Sequence, residues 1–143
     1  MKQAIIERLK KLTNKYDLVE DFNTSEREIR RTIAEIAKEQ PVVAVSHLKG
    51  YKIASEPTEI GAVYNSAMEL VGRMQELSPR LMPQIKFIAE KAQTTLDKEY
   101  SFGKLQEKIN NEIKYLKFLN KVIKDELIGE LKWIIILSNE WQF

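Results

Sequence analysis

The sequence contains no cysteine and only one histidine among its 143 residues. Without cysteine the chain can form neither a disulfide framework nor a thiolate metal site, and His47 alone cannot supply a cluster of imidazole ligands for zinc. Neither G-x-x-x-x-G-K nor G-x-G-x-x-G occurs. Ser46 and His47 are neighbours in the chain, which argues against their use as a nucleophile and base facing each other across a site. These absences predict a protein that is not an enzyme and that binds no cofactor and no metal.

Long apolar runs are missing as well. The longest, "WIIIL" at residues 133–137, is far shorter than the roughly 20 residues that cross a bilayer. The stretch "MKQAIIERLKKL" is amphipathic and charged, without the apolar core of a signal peptide. The sequence therefore predicts no membrane span and a cytoplasmic location.

Neither sign of charge is in excess, because 23 Lys and Arg balance 21 Asp and Glu to a net charge of +2. A hydrophobic content of 43% is sufficient for one compact domain, or a small domain with a helical extension. A polyanionic partner must therefore be argued from the local arrangement of charge.

The first forty residues carry helical periodicity. Residues 3–12 place Ile5, Leu9 and Leu12 at helical spacing, and "NKYDLVEDFN" predicts a shorter second helix that ends near Asn23. A third helix begins with a capping box, S-x-x-E, at Ser25 and runs to about Gln40, where Pro41 disfavours helix. The period then changes to two in "VVAVS" and "YKIAS", which flank "HLKG" and predict a β-hairpin with Gly50 available for a positive φ.

Two heptad stripes follow the hairpin. The first belongs to a helix over residues 58–77, after which Pro79 and Pro83 bend or break the chain before helix resumes. Residues 94–103 read as a connector, and a final helix capped by Asp125 is predicted, with a strand at 133–137 as the alternative. The first stripe comprises Ile60, Val63, Ala67, Leu70, Met74 and Leu77; the second comprises Phe102, Leu105, Ile109, Leu116, Leu119 and Ile123, interrupted by Glu112. A third apolar set comprises Leu127, Leu131, Ile134, Ile135 and Trp141.

The charges of the third helix are sorted around its axis. At about 100° per residue, Ile29, Ile33 and Ile36 share a narrow sector, and acidic residues occupy a flank that leaves the basic face unmasked. Two interpretations of that face stay open, a solvated surface and a contact with guanine edges or phosphates. The basic residues broadly opposite the isoleucines are Arg27, Arg30, Arg31 and Lys38.

The order helix, short helix, sorted helix and hairpin resembles a winged helix-turn-helix over residues 1–56. The stretch "SEREIRRTIAEIAKEQPVVAVSHLKGYKIAS" is especially similar to the winged-helix modules of small phage and prophage proteins, including replisome organisers. In such modules a Ser-x-x-Glu-Ile-Arg start opens the recognition helix, and a Gly-Tyr pair, here Gly50 and Tyr51, follows the wing turn.

This resemblance implies duplex DNA as the partner, with the third helix in the major groove and the wing on the flanking backbone or minor groove. The implied helix contacts are Ser25, Arg27, Arg30, Arg31 and Lys38, and the implied wing contacts are His47, Lys49 and Lys52. For Tyr51, packing in the wing core and a phosphate contact are both open. Tyr115, Trp133 and Trp141 are predicted to bury against helices.

The predicted fold class is mainly α, with a winged-helix domain at residues 1–56 and long helices at residues 57–143. Those helices form either a coiled-coil-like dimerisation region or a monomeric bundle. The predicted function is duplex DNA binding in phage-type transcriptional regulation or replication initiation; the alternative is a helical protein-interaction module, such as a phage-encoded inhibitor or adaptor, with the winged helix as a scaffold. The predicted homodimer contacts are Ile60, Val63, Leu70, Met74, Leu77, Leu105, Ile109, Leu116, Leu119 and Ile123.

Overall fold

The structure is a computed structural model that describes residues 1–45 and 50–140, with residues 130–140 described by their backbone alone. The predicted contacts His47 and Lys49 lie outside the described residues, as do Trp141 and the side chain of Trp133. The chain divides into two compact units, Met1–Arg80 and Leu81–Phe143. The domain boundary after residue 56 stays a prediction.

The first unit alternates short helices with a small sheet, and the mainly helical prediction is confirmed. Its helices are α1 (Lys2–Leu9), α2 (Lys15–Asp21), α3 (Glu26–Ala37) and α4 (Ile60–Leu77), and its strands are β1 (Thr13–Asn14), β2 (Val42–Val45) and β3 (Gly50–Ile53). The predicted hairpin is present as β2 and β3. Strand β1 was not predicted, and α1 ends before Leu12, which is 43% exposed rather than part of the helix's apolar side.

Gly50 allows two strands to approach closely. The three-stranded antiparallel sheet has the order β1-β3-β2, with Asn14 and Val45 both paired to Gly50. The prediction that Gly50 supplies a positive φ is wrong, because no glycine in the described residues has one. A Cβ at Gly50 would instead lie 2.8 Å from the carbonyl oxygen of Thr13. The absent side chain is therefore required by the neighbouring strand β1.

The core of the first unit lies between α1, α2, α3 and β3. The isoleucines of α3 are buried, which confirms their predicted role, and Tyr51 packs against the core as a half-buried side chain. Thr13 is also buried, and its hydroxyl lies 2.7 Å from the carbonyl oxygen of Arg8 and 2.9 Å from that of Lys11. The buried apolar residues are Ile5, Leu9, Leu18, Ile29, Ile33, Ile36 and Ile53.

Helix α4 begins after a 3-10 turn at Pro57–Glu59 and contacts β2. A second 3-10 turn, Ser78–Arg80, follows α4 and contains Pro79. Most of the α4 stripe is exposed, with Ile60 at 68% and Leu70 at 57%. The helix therefore buries little of its apolar surface within the described part of the first unit.

The second unit contains α5 (Leu81–Lys91) and α6 (Thr95–Glu140). Pro83 lies in the first turn of α5, where a missing N–H is tolerated. The connector predicted at residues 94–103 is wrong, because the hydroxyl of Thr94 accepts a hydrogen bond from the Asp97 N–H at 3.0 Å and caps a helix there. The predicted helix start at Asp125 and the alternative strand at 133–137 are also wrong, since α6 is continuous over 46 residues.

Candidate nucleic-acid interface

Local signals at both ends of the turn before α3 set where the helix begins. Asn23 adopts a positive φ of 47° after α2, a conformation that asparagine tolerates better than most residues. Ser25 is the N-cap, and its hydroxyl accepts a hydrogen bond from the Glu28 N–H at 3.1 Å. The predicted cap is confirmed. The burial of Ile29, Ile33 and Ile36 then fixes the rotation of α3, so the opposite face is exposed.

The basic side chains of α3 are exposed, but three of them are paired with acids of the same helix. Arg30 pairs with Glu26, and the side chain of Arg30 remains 59% exposed. The two further pairs are Arg31 with Glu28 at 3.2 Å and Lys38 with Glu35 at 3.1 Å. The prediction that the acidic flank leaves the basic face unmasked is therefore wrong, because side chains three and four positions apart reach each other on a helix.

Arg27 differs from the other basic residues of α3. Among the side chains that the structure describes, those of residues 1–45 and 50–129, the Arg27 guanidinium has no acidic partner, and the residue is exposed in the first turn. Glu26 and Glu28 on either side of it pair with Arg30 and Arg31 instead. Arg27 is thus the basic side chain of α3 that a ligand can engage without breaking an ion pair.

Glu26 connects α3 to the start of α2. The Lys15 ammonium donates to the Glu26 carboxylate at 2.9 Å, and only 17% of the Lys15 side chain is exposed. This hydrogen bond lowers the pKa of the Glu26 carboxyl, and the nearby Arg30 lowers it further. The same bond raises the pKa of Lys15. Lys15 was not among the predicted site residues; its place at the first position of α2, beside the α3 N-terminus, follows from the tertiary fold.

Lys52 occupies a different environment from the one predicted for a wing contact. Its ammonium donates to both carboxylate oxygens of Glu59, at 2.7 and 2.8 Å, and the two side chains are 26% and 22% exposed. Glu59 also accepts from the N–H groups of Ser55 and Glu56. Lys52, the most important partner, lowers the pKa of the Glu59 carboxyl, and the two backbone donors lower it further. Lys52 therefore joins β3 to the start of α4.

The residues predicted for self-association are distributed over both units. On α4, Met74 is 43% exposed and Val63 is half-buried. On α6, Leu105 is half-buried in a groove that α5 and α6 form with Ile85 and Phe102. Tyr115 is 57% exposed and its ring lies 6.4 Å from that of Phe118, so the prediction that Tyr115 is buried is wrong. The remaining exposed members are Ile60, Leu70, Leu77, Ile109, Leu116, Leu119 and Ile123.

Two further features bear on the site. In the part of the chain that the structure describes, no three His, Cys, Asp or Glu side chains converge as a metal site. None of the helices among the described residues has the length and apolar content of a bilayer-spanning segment. In comparisons with known proteins, no family model, no curated protein and no solved structure matches this chain.

Proposed function

We propose that the first unit contains a winged-helix module that binds duplex DNA through α3. The observation that carries this proposal is the geometry of α3, in which three buried isoleucines hold an exposed arginine face away from the core. The order of α1, α2, α3 and the β2-β3 hairpin supports it, because the winged-helix resemblance of residues 1–56 implies that arrangement.

The proposed contact places α3 in the major groove with its first turn toward the base edges. Arg27 is the first candidate for base reading, since it lies in that turn and is exposed without an acidic partner in the described residues. Arg30 and Arg31 exchange their glutamates for phosphates or guanine edges on binding. That exchange is inexpensive, because solvent-exposed ion pairs contribute little to stability.

The positive charge of the exposed α3 face is partly neutralised by Glu26 and Glu28 of the same helix. A DNA sequence that offers no acceptor to Arg30 or Arg31 leaves those arginines paired with Glu26 and Glu28. The two carboxylates then lie close to the DNA phosphates, and the like charges repel. Pairing therefore favours discrimination over unspecific attraction. In the wing, the pairing of Lys52 with Glu59 makes Lys52 a positioning residue. His47 and Lys49 are the residues proposed to contact DNA directly.

The test is fluorescence anisotropy with a labelled random duplex, titrated with the full chain at low and moderate salt. Replacing Arg30 and Arg31 together by alanine is expected to weaken binding to the random duplex through lost phosphate contacts. On a sequence that the chain prefers, each arginine that reads a base is expected to contribute roughly 1 to 3 kcal/mol. Arg27→Ala alone is expected to cause a comparable loss without breaking an ion pair. Circular dichroism checks that α3 remains folded.

The chain offers a matched control in Arg73 and Arg80. Both arginines are exposed and paired four positions away, with Glu69 and Glu76, as Arg30 is with Glu26. The double replacement R73A/R80A removes the same net charge as R30A/R31A, so it separates a specific face from overall charge. Equal losses in the two variants, or no loss in R30A/R31A, would show that α3 is not the DNA-reading helix.

We also propose that the chain forms a homodimer through α4 and α6. The supporting observation is the amount of exposed apolar surface: Leu77 on α4 is 51% exposed, and Ile123 and Leu127 on α6 are 59% and 57% exposed. Surfaces of this kind mark protein interaction sites. Light scattering across a concentration series is expected to give twice the chain mass, and a truncation ending at Ala92 to reduce it. A monomer at tens of micromolar would contradict the dimer.

The second candidate function, a helical protein-interaction module, is favoured by the same exposed surface. It predicts a folded, self-associating chain whose anisotropy signal with duplex DNA stays flat even at low salt. The DNA titration therefore decides between the two candidates, because both are expected to self-associate.

A further inference from the structure

The apolar surface of α6 continues well beyond the part that α5 contacts. Helix α5 lies along the beginning of α6, around the groove of Ile85, Phe102, Leu105 and Ile109. Within the described second unit α5 is the other helix, and the groove that it forms with α6 ends at Asn110. The large apolar side chains exposed there include Ile113, Leu116, Leu119, Val122, Ile123 and Leu127.

Part of this apolar surface forms a seam with heptad spacing. From Leu105 through Ile109, Leu116, Leu119 and Ile123, the positions fit steps of three and four, which is the pattern of a helix that packs along another helix. Two acids occupy positions of the same seam, Glu112 between Ile109 and Leu116, and Glu126 three residues after Ile123. The position of these acids selects the partner and its direction.

A lipid surface is disfavoured as the partner. An amphipathic helix that lies in a membrane interface buries its apolar face among acyl chains. Glu112 and Glu126 lie within that face, where removal of a carboxylate from water is costly. The lysines of this segment, Lys114, Lys117, Lys121 and Lys124, fall away from the seam at about 100° per residue and remain accessible to water when the seam is covered.

A parallel second copy is disfavoured by the same acids. In a parallel, in-register pair each seam residue meets its own counterpart. Glu112 would then face Glu112 of the second copy, and Glu126 would face Glu126. Like charges at this separation repel, and within an apolar seam the repulsion is only weakly screened.

An antiparallel second copy removes both contacts between like charges. When Thr95 of one α6 lies opposite Glu140 of the other, the helices overlap along their whole 46-residue length. In that register Leu116 faces Leu119, at the centre of the seam. Glu112 then faces Ile123.

The same register pairs the second acid with an apolar residue and a base. Glu126 faces Ile109 of the second copy, and Lys108 of that copy follows directly beside it. The interface is self-complementary about a two-fold axis between Lys117 and Phe118, as a closed homodimer requires. The exposed apolar residues from Ile109 to Leu127 thus lie on both sides of the axis.

We infer that α6 binds α6 of a second copy of this chain in an antiparallel seam, with Leu116 opposite Leu119 and Glu126 beside Lys108. The inference rests on the homodimer proposed above and gives that homodimer a direction and a register. It is independent of DNA binding, which the anisotropy titration measures separately.

Cysteine cross-linking tests the direction, because the natural chain has no cysteine. Two full-length variants, Ile109→Cys and Glu126→Cys, are oxidised separately and as an equimolar mixture under mild oxidant. In the antiparallel register the two introduced thiols face each other, whereas position 109 lies about 25 Å from position 109 of the second copy. That distance is too long for a disulfide. The mixture is expected to form linked dimers at least about tenfold faster than either variant alone.

A charge exchange provides a second measurement. Glu126→Lys is expected to weaken self-association. In a light-scattering dilution series, the variant should become monomeric at a higher protein concentration than the parent chain does. Adding Lys108→Glu to the same chain should restore it, since the exchanged charges meet across the antiparallel seam. Within one chain, or in a parallel pair, these positions are about 27 Å apart and cannot compensate. The matched control adds Lys124→Glu, which changes the same charge outside the seam and should not restore the dimer.

Each other outcome overturns the inference in a distinguishable way. Rapid linking of Ile109→Cys alone would mean a parallel seam. A dimer mass without cross-linking in any mixture would place the interface elsewhere, for example on α4. A monomeric parent chain would remove the homodimer itself, while retained DNA binding would leave the proposed role of α3 intact.

Discussion

Substituting alanine for Gly50 tests the close contact between β1 and β3. The added Cβ would lie 2.8 Å from the Thr13 carbonyl oxygen and 3.2 Å from Cδ1 of Leu12. The nearer atom belongs to the backbone, so rotation of a side chain cannot relieve the clash. Thr13 resists displacement because its buried hydroxyl is bonded to the carbonyls at the end of α1. The substitution therefore forces β1 away from β3.

The expected magnitude combines two opposing effects. Overpacking of a fixed interior costs about 1 to 3 kcal/mol. Alanine in place of glycine within a strand regains about 0.5 to 1 kcal/mol, since glycine loses more conformational freedom on folding. The free energy of unfolding of the first unit should consequently fall by about 1 kcal/mol, the difference between the midpoints of those two ranges.

The assay must report on the first unit, because both tryptophans lie in the second. Hydrogen exchange of the α3 amides, measured by mass spectrometry on the full chain, reports opening of that unit. Gly72→Ala is the matched control: it has open space within 4 Å and lies in an exposed part of α4. That control should raise local helix stability by up to about 1 kcal/mol. Unchanged protection of α3 in the Gly50 variant would refute the close-contact reasoning.

Three further outcomes are expected. Ser25→Ala should reduce stability by about 0.5 to 2 kcal/mol through loss of the α3 cap, measured by the same exchange. Asn23→Gly should be tolerated, whereas Asn23→Val should cost roughly 1 to 2 kcal/mol or more, because the positive φ is strained for a branched residue. Glu26 and Glu59 have lowered pKa values, so the unfolded chain takes up protons first as pH falls. The stabilisation from these two carboxylates is complete above the ordinary carboxyl pKa and is lost as pH falls through the lowered pKa values. Glu59→Gln should therefore reduce the fall of the melting temperature at acidic pH.

Elements with local signals were predictable from the sequence. The start of α3 follows from the S-x-x-E cap, whereas the helix ends at Ala37, three residues before the end predicted near Gln40. Strand β1 depends on pairing with Tyr51 and Gly50, far along the chain. Its two residues are too few to show the alternation of apolar and polar positions that identifies a strand in a sequence. The positive φ predicted for Gly50 was wrong, because the need for glycine there comes from the distant strand β1. Gly103 suggested a connector, yet one glycine costs only about 1 kcal/mol within a long helix.

The sequence predicted which face of α3 is exposed, but not the ion pairs that its side chains make. Periodicity placed the arginines of α3 opposite the core, but it cannot say which acids their flexible side chains reach. Lys52 was assigned to DNA because it follows the wing turn, and its partner Glu59 belongs to a later element. The sequence distinguishes Arg27 from Arg30 and Arg31 in one way only. Glu26 and Glu28, the acids on either side of Arg27, each have another arginine three or four positions later in the helix.

The Lys52 to Glu59 contact has a consequence for how DNA binding and self-association would be connected. Glu59 directly precedes α4 and is held by Lys52 of β3 and by the N–H groups of Ser55 and Glu56. The chain from the wing to α4 is therefore anchored where a flexible linker would otherwise begin. If α4 contributes to the homodimer as proposed, this anchor fixes the position of the dimer contact relative to β3 and, through the shared core, to α3. The spacing between two half-sites would then follow from the structure of the first unit rather than from linker length. Lys52→Met should thus relax the preference for one half-site spacing in binding assays while leaving affinity for a single half-site unchanged; equal loss at all spacings would instead assign Lys52 to the phosphate backbone.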